Sequence, residues 1–66
     1  MSGDDYFEQH ATRRETANAT VLVRYDDHDD HVRIEVRPTK ARGKYRLDVD
    51  SATADALRYA LMDELD

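Results

Sequence analysis

The sequence predicts an α+β domain, a three-stranded antiparallel β-meander followed by a C-terminal amphipathic α-helix. Two observations carry this prediction. Apolar and polar residues alternate with period two in three short stretches, and the last segment changes to a four-residue spacing of leucines. We expect residues 1–19 to form a flexible or weakly helical N-terminal segment and residues 20–66 to form the βββα domain, with strand order 1-2-3.

The N-terminal segment is polar and gives two readings. The stretch "DDYFEQHATRRETANAT" could form a helix from Asp4, but its polarity is equally typical of a disordered tail. We favour disorder or a poorly docked helix. Phe7 is the chain's only phenylalanine, and of these residues it is the one we expect to find a pocket, for example on a partner subunit.

The three predicted strands are "TVLVRY", "HVRIEVRP" and "KYRLDV". Side chains of a strand point alternately to opposite faces of the sheet. One face therefore collects the apolar residues Val21, Val23, Tyr25, Val32, Ile34, Val36, Tyr45, Leu47 and Val49. The other face, expected to be exposed, collects Thr20, Leu22, Arg24, Arg33, Glu35, Arg37, Lys44, Arg46 and Asp48.

The stretch "YDDHDDHV" joins the first two strands, and two registers keep the apolar residues on one face. The first pairs Tyr25 with Val32. The second pairs Tyr25 with Ile34, and it would place His28 and His31 face to face beside Asp26. Two imidazoles and a carboxylate could bind a metal weakly. Because aspartate-rich stretches are typical of solvated turns, we predict an acidic turn and no physiological metal.

The segment "DSATADALRYALMDELD" has Leu57, Leu61 and Leu65 four residues apart, with Ala54 and Met62 beside them. This spacing predicts an amphipathic helix lying across the apolar face of the sheet. Residue 50 or 51 can cap its N-terminus.

Size and composition favour a homodimer. A chain of 66 residues without cysteine has a thin core and no disulfide to reinforce it, and the outer strands leave open edges. By count, 11 of the 15 acidic residues are Asp and 8 of the 10 basic residues are Arg. This composition resembles that of proteins from salt-loving archaea. Lack of a signal-peptide pattern or a long apolar run predicts a cytoplasmic protein without membrane contact.

The sequence favours binding over catalysis. It contains no glycine-rich phosphate loop and no nucleophile constellation, so we expect no enzyme, no catalytic residue, no cofactor and no small-molecule substrate. The basic residues of the polar sheet face and the following loop outnumber the acids there, which favours nucleic-acid binding. A protein–protein interaction module is the alternative. The predicted nucleic-acid-binding residues are Arg24, Arg33, Arg37, Lys40, Arg42, Lys44 and Arg46.

The predicted architecture has one similarity to a known family. Antiparallel strands followed by one amphipathic helix, over residues 20 to 65, are similar to a transcription-coactivator family that binds single-stranded DNA as a dimer. The similarity is one of architecture, without a shared motif. It implies a dimer that binds single-stranded DNA.

Overall fold

The computed structural model describes residues 3–66 of the chain, with side chains from residue 5 onward. The α+β class is confirmed, because an antiparallel sheet is followed by a C-terminal helix. The predicted count of three strands is wrong, because the sheet has four strands in the order β1-β2-β3-β4 and a further helix precedes it. The elements are α1 (Gly3–His10), β1 (Thr12–Glu15), β2 (Ala19–Asp26), β3 (His31–Pro38), β4 (Tyr45–Val49) and α2 (Ser51–Leu65).

Strand β1 lies in the segment that we expected to be flexible or weakly helical. Its sequence is "TRRE", all four residues are exposed, and it pairs antiparallel with β2. A tight turn aligns the two strands: the Thr16 hydroxyl oxygen accepts hydrogen bonds from the backbone N–H groups of Asn18 and Ala19. This turn and the ladder define the strand, without help from an apolar residue. The division of the chain at residue 19 stays a prediction, although α1 and β1 both precede it.

The hairpin between β2 and β3 adopts the first of the two registers, with Tyr25 opposite Val32 and Asp26 opposite His31. Residues 27–30 form the turn. Asp30 takes a left-handed conformation with φ 49°, which aspartate tolerates better than most residues. The Asp26 carboxylate accepts the backbone N–H of His28. The register that would bring His28 and His31 face to face is therefore not the one adopted.

Each face of the sheet has a helix, and this is the main difference from the predicted architecture. Helix α1 lies on the polar face, where Phe7 is 3% exposed and Leu22 is completely buried. Leu22 alternates with Val21 and Val23 along β2, so it points away from the apolar face. The middle of the face that we expected to be open to solvent is therefore covered by the N-terminal segment of the same chain, whereas its parts on β1 and β4 remain largely exposed.

Helix α2 follows β4 and is fixed to the β2–β3 turn at its first residue. Asp50 occupies the N-cap position without a side-chain capping hydrogen bond. The Asp30 carboxylate instead accepts the backbone N–H of Ser51 and the hydroxyl of Tyr25, both at 3.3 Å. Hydrogen bonds from Ser51 lower the pKa of Asp30. The turn thereby sets the direction in which α2 leaves the sheet.

We predicted that α2 lies across the apolar face and covers it. Beyond its first residue, however, the helix leaves that face largely open. No residue of the helix is buried. The helix and the sheet instead form the two walls of an open groove, and the leucine stripe of α2 lines one of them. Within one chain, α2 therefore covers this face of the sheet only in part.

Candidate interaction interface

The apolar groove lies between α2 and the face of the sheet opposite α1, and its volume is about 540 Å³. Aliphatic side chains from both walls line most of it. The lining residues are Val23, Val32, Ile34, Ala54, Leu57, Arg58, Leu61, Met62, Leu65 and Asp66.

The groove leaves large apolar side chains open to solvent. Leu61 is 49% exposed and Leu65 is 81% exposed, and Leu47 on the neighbouring edge strand is 47% exposed. Among the described residues, the buried hydrophobic side chains are Phe7, Leu22 and Val32. Contiguous exposed apolar surface is a candidate interaction surface.

The overall dimensions also show that the chain exposes more surface than a compact monomer. A compact monomer of 7.7 kDa exposes roughly 4,300 Å² and has a radius of gyration of roughly 11 Å. This chain exposes 5408 Å², and its radius of gyration is 12.7 Å. It measures 38 × 34 × 15 Å, so it is a flat layer with too much surface for its mass.

The opposite face is closed by aromatic and ionic contacts between α1 and the sheet. The Arg33 guanidinium lies 5.2 Å from the Phe7 ring centroid, and the Arg24 guanidinium lies 4.9 Å from that of Tyr6. Arg24 Nη2 also donates a hydrogen bond to the Tyr6 hydroxyl at 3.2 Å. These two arginines hold α1 through the faces of its aromatic rings, where cations are attracted to the π-electrons.

Glu35 forms the ionic centre of this face. It is completely buried, and its Oε2 accepts a hydrogen bond from Arg37 Nη2 at 2.9 Å. Lys44 Nζ lies 3.2 Å from Oε1, an ion pair without hydrogen-bond geometry. Arg37 Nη1 reaches Glu8 of α1 at 2.9 Å. Hydrogen bonds to Glu8 and Glu35 raise the pKa of Arg37, so this side chain joins helix and sheet as a cation.

Asp48 is the second anion of the face. Its carboxylate accepts a hydrogen bond from Arg46 Nε at 2.8 Å, lies 2.8 Å from His31 Nε2, and lies 3.5 Å from Arg33 Nε. Hydrogen bonds from Arg46 and His31, together with the nearby arginine charges, lower the pKa of Asp48. Most of the basic side chains of the sheet thus have an acidic partner.

The structure separates the seven predicted nucleic-acid-binding residues into two groups. Five share the α1 side of the sheet and make the contacts described above: Arg24, Arg33, Arg37, Lys44 and Arg46. The remaining two, Lys40 and Arg42, are exposed in the loop between β3 and β4 and have no ion pair within residues 3–66. The sequence analysis did not predict that Phe7 packs on the sheet of its own chain, or that the Glu35 carboxylate is buried. A single leucine, Leu22, on an otherwise polar face was the signal that something packs on that face.

We expect Glu35→Gln to lower the free energy of unfolding by about 1–3 kcal/mol, because a buried acceptor of charge-assisted hydrogen bonds is replaced by a neutral amide. Urea unfolding measures the effect. Glu15→Gln is the matched control, since Glu15 is exposed on β1 and pairs with Arg13 alone among the described residues; it should change stability by less than about 0.5 kcal/mol. Equal effects of both substitutions would contradict the assigned role of Glu35.

Within residues 3–66, no group of three or more histidine, aspartate or glutamate side chains is arranged to hold a metal ion. No helix in the described part of the chain has the length and apolar character needed to cross a bilayer. No family model, curated protein or solved structure matches this chain.

Proposed function

We propose that this chain is a small, non-enzymatic protein-interaction module that works as a homodimer, with a second copy of the chain filling the apolar groove. The observation that carries the proposal is helix α2, which has a leucine stripe but no buried residue. Such a helix gains little stability from tertiary packing in a single chain. A second chain supplies the missing contact.

The exposed area supports a second copy. The surface in excess of a compact monomer is roughly 1,100 Å², from the 5408 Å² that the chain exposes. A stable protein–protein interface buries about 800 Å² on each partner, and obligate dimers bury more. The excess therefore matches one half of a homodimer interface, and a 66-residue chain without disulfides needs the stability that assembly provides.

The shape of the groove also supports a symmetric arrangement. In a twofold dimer, the same patch on each chain must fit its own copy. Here one patch contains both an apolar cleft and an apolar helix stripe, so the stripe of each chain can enter the cleft of the other. Arg58 and Asp66 are the two charged residues of the lining, and their opposite charges can pair between the two chains of a twofold dimer.

Subunit-exchange fluorescence tests the proposal. The chain has no native cysteine, so Asp63→Cys gives one labelling site on the side of α2 that does not line the groove. Mixing donor-labelled and acceptor-labelled chains should produce energy transfer that excess unlabelled chain removes. Mixtures that show no energy transfer at any concentration, while each labelled chain remains folded, would overturn the homodimer.

Nucleic-acid binding is a second candidate, supported by one observation. Lys40 and Arg42 are exposed and without ion pairs in the described residues, and Gly43 turns the chain beside them with φ 88°. Unpaired cations on a projecting loop suit phosphate contacts. Within this proposal the contact shifts from the sheet, which α1 covers, to the loop.

A fluorescence-anisotropy titration with single- and double-stranded oligonucleotides tests this candidate. Lys40→Ser with Arg42→Ser should weaken any binding at least tenfold, whereas Arg33→Ser with Arg46→Ser should have a smaller effect, because those guanidinium groups already have protein partners. Affinity should fall with added salt as counterions are released. Wild-type chain that fails to bind even at low salt would remove nucleic acid from the account.

The cellular setting is also a proposal. The acidic, lysine-poor composition supports a cytoplasmic protein of a salt-loving archaeon, where a high density of carboxylates keeps the surface hydrated and prevents non-specific association.

A further inference from the structure

A second cavity lies on the α1 side of the sheet, at the end nearer the β2–β3 turn. Its volume is about 140 Å³, and its lining is Tyr6, Phe7, Arg24, Asp26, His31 and Arg33. A water molecule takes roughly 30 Å³ of liquid volume. The cavity therefore has room for a phosphoryl-sized group with its hydration, but it is too small for a nucleoside.

Two like charges lie side by side in the wall of this cavity that the sheet forms. Arg24 and Arg33 are directly opposite partners in the β2–β3 ladder, an arrangement that destabilises a sheet unless something compensates for it. The rings of Tyr6 and Phe7 hold the two guanidinium groups in place from the side of α1. The arginine pair is thus positioned by packing before any ligand arrives.

The acidic compensation of this pair is incomplete. No carboxylate among residues 3–66 forms an ion pair with Arg24, whose hydrogen-bond partner is the neutral hydroxyl of Tyr6. The carboxylate near Arg33 is Asp48 at 3.5 Å, and that carboxylate already contacts Arg46 and His31. Within the described part of the chain, Arg24 therefore has no acidic partner, Arg33 Nε makes no hydrogen bond, and the planar guanidinium forks of both residues suit oxyanions.

Asp26 restricts which anions the cavity can bind. It lines the same cavity, and one of its carboxylate oxygens accepts the His28 N–H. An ionised carboxylate is an acceptor only, so it repels a fully deprotonated oxyanion and favours one that carries an O–H donor. Phosphate and phosphate monoesters carry such a proton below their second pKa of about 6, and roughly a tenth of the molecules still carry it at pH 7. Sulfate and phosphodiesters do not.

We propose that this cavity binds the protonated phosphoryl group of inorganic phosphate or a small phosphate monoester, with Arg24 and Arg33 holding the anionic oxygens and Asp26 accepting its O–H. The site goes beyond the dimer interface, since it lies on the other face of the sheet. It also differs from the nucleic-acid candidate, because internal phosphodiesters lack the O–H that Asp26 accepts.

Isothermal titration of the full chain with four probes tests the proposal. Inorganic phosphate and phenyl phosphate should bind, whereas sulfate and dimethyl phosphate should bind at least tenfold more weakly. If inorganic phosphate binds and phenyl phosphate does not, the ligand is the free ion. If each of the two binds, the site recognises the phosphoryl group in general. No binding of phosphate, or equal binding of phosphate and sulfate, would overturn the proposal.

Three variants separate the residue roles. Arg24→Ser should weaken phosphate binding at least tenfold, and Arg24→Lys should restore part of the loss by restoring the charge without the fork. Asp26→Asn should remove the preference for phosphate over sulfate. Arg13→Ser is the control: Arg13 lies on the same sheet face and pairs with Glu15, so affinity should stay unchanged. Unchanged affinity in Arg24→Ser, with circular dichroism showing a native fold, would contradict the site.

Discussion

A chain carrying Leu61→Asp is expected to be monomeric at concentrations where the wild type is dimeric. Leu61 lies on the leucine stripe of α2 and lines the apolar groove. An aspartate there would have to be buried without a partner on dimerisation, a cost of several kcal/mol. We expect the dissociation constant to rise at least 100-fold, which corresponds to about 3 kcal/mol. Sedimentation equilibrium of wild type and variant measures the change.

The matched control is Ala56→Asp. Ala56 is exposed on the same helix and does not line the groove, so this substitution introduces the same charge and a similar loss of helix propensity. It should leave the dissociation constant within a factor of about three, or 0.7 kcal/mol. If both variants dimerise as the wild type does, α2 does not form the interface. If both become monomeric, added charge and not position explains the effect.

Phe7→Ala is expected to lower the free energy of unfolding by about 3–5 kcal/mol, the usual cost of truncating a buried phenylalanine. Phe7 is 3% exposed and lies against Arg33 on the sheet. Because α1 has only eight residues, it is too short to persist as a helix once it loses this anchor. Urea unfolding measures the loss, and amide hydrogen exchange should show faster exchange throughout α1.

Two further variants sharpen this prediction. Phe7→Leu keeps an apolar side chain and should recover more than half of the lost stability. Tyr6→Ala removes a ring that is 53% exposed and should cost much less. A loss below about 1 kcal/mol for Phe7→Ala, together with unchanged exchange in α1, would show that the helix does not depend on this contact.

The parts of the fold that the sequence predicted correctly are those with regular apolar periodicity. Strands β2, β3 and β4 follow the alternation around Val23, Ile34 and Leu47, and the leucine spacing gave α2. The hairpin was predicted to one of two registers, because both place the apolar residues on one face. In the adopted register Asp30 bonds to Tyr25 and Ser51, and contacts of this kind leave no trace in hydrophobic periodicity.

Strand β1 and helix α1 could not be predicted from that signal. The sequence "TRRE" has no apolar residue to alternate, and its strand depends on the turn at Thr16. Helix α1 carries a single buried side chain, Phe7, among the residues that the structure describes. A helix anchored at one point by arginine–aromatic contacts has little periodicity, so its polarity resembled that of a disordered segment.

The candidate surfaces show the same division. Alternation correctly assigned the basic side chains to one sheet face, but it could not reveal that α1 and the buried Glu35 neutralise much of that face. The leucine stripe of α2 was recognised, yet its direction relative to the sheet depends on the Asp30–Ser51 contact. Long-range contacts of this kind, made by isolated residues, are invisible to a local pattern.

In the proposed homodimer, two copies of this chain close the apolar groove against each other. Size-exclusion chromatography with multi-angle light scattering, from nanomolar to millimolar concentration in molar potassium chloride, tests it most directly. We expect a mass of twice 7.7 kDa at micromolar concentration and above, with concentration-dependent thermal stability. A mass of 7.7 kDa over the whole range, for a chain that remains folded, would contradict it.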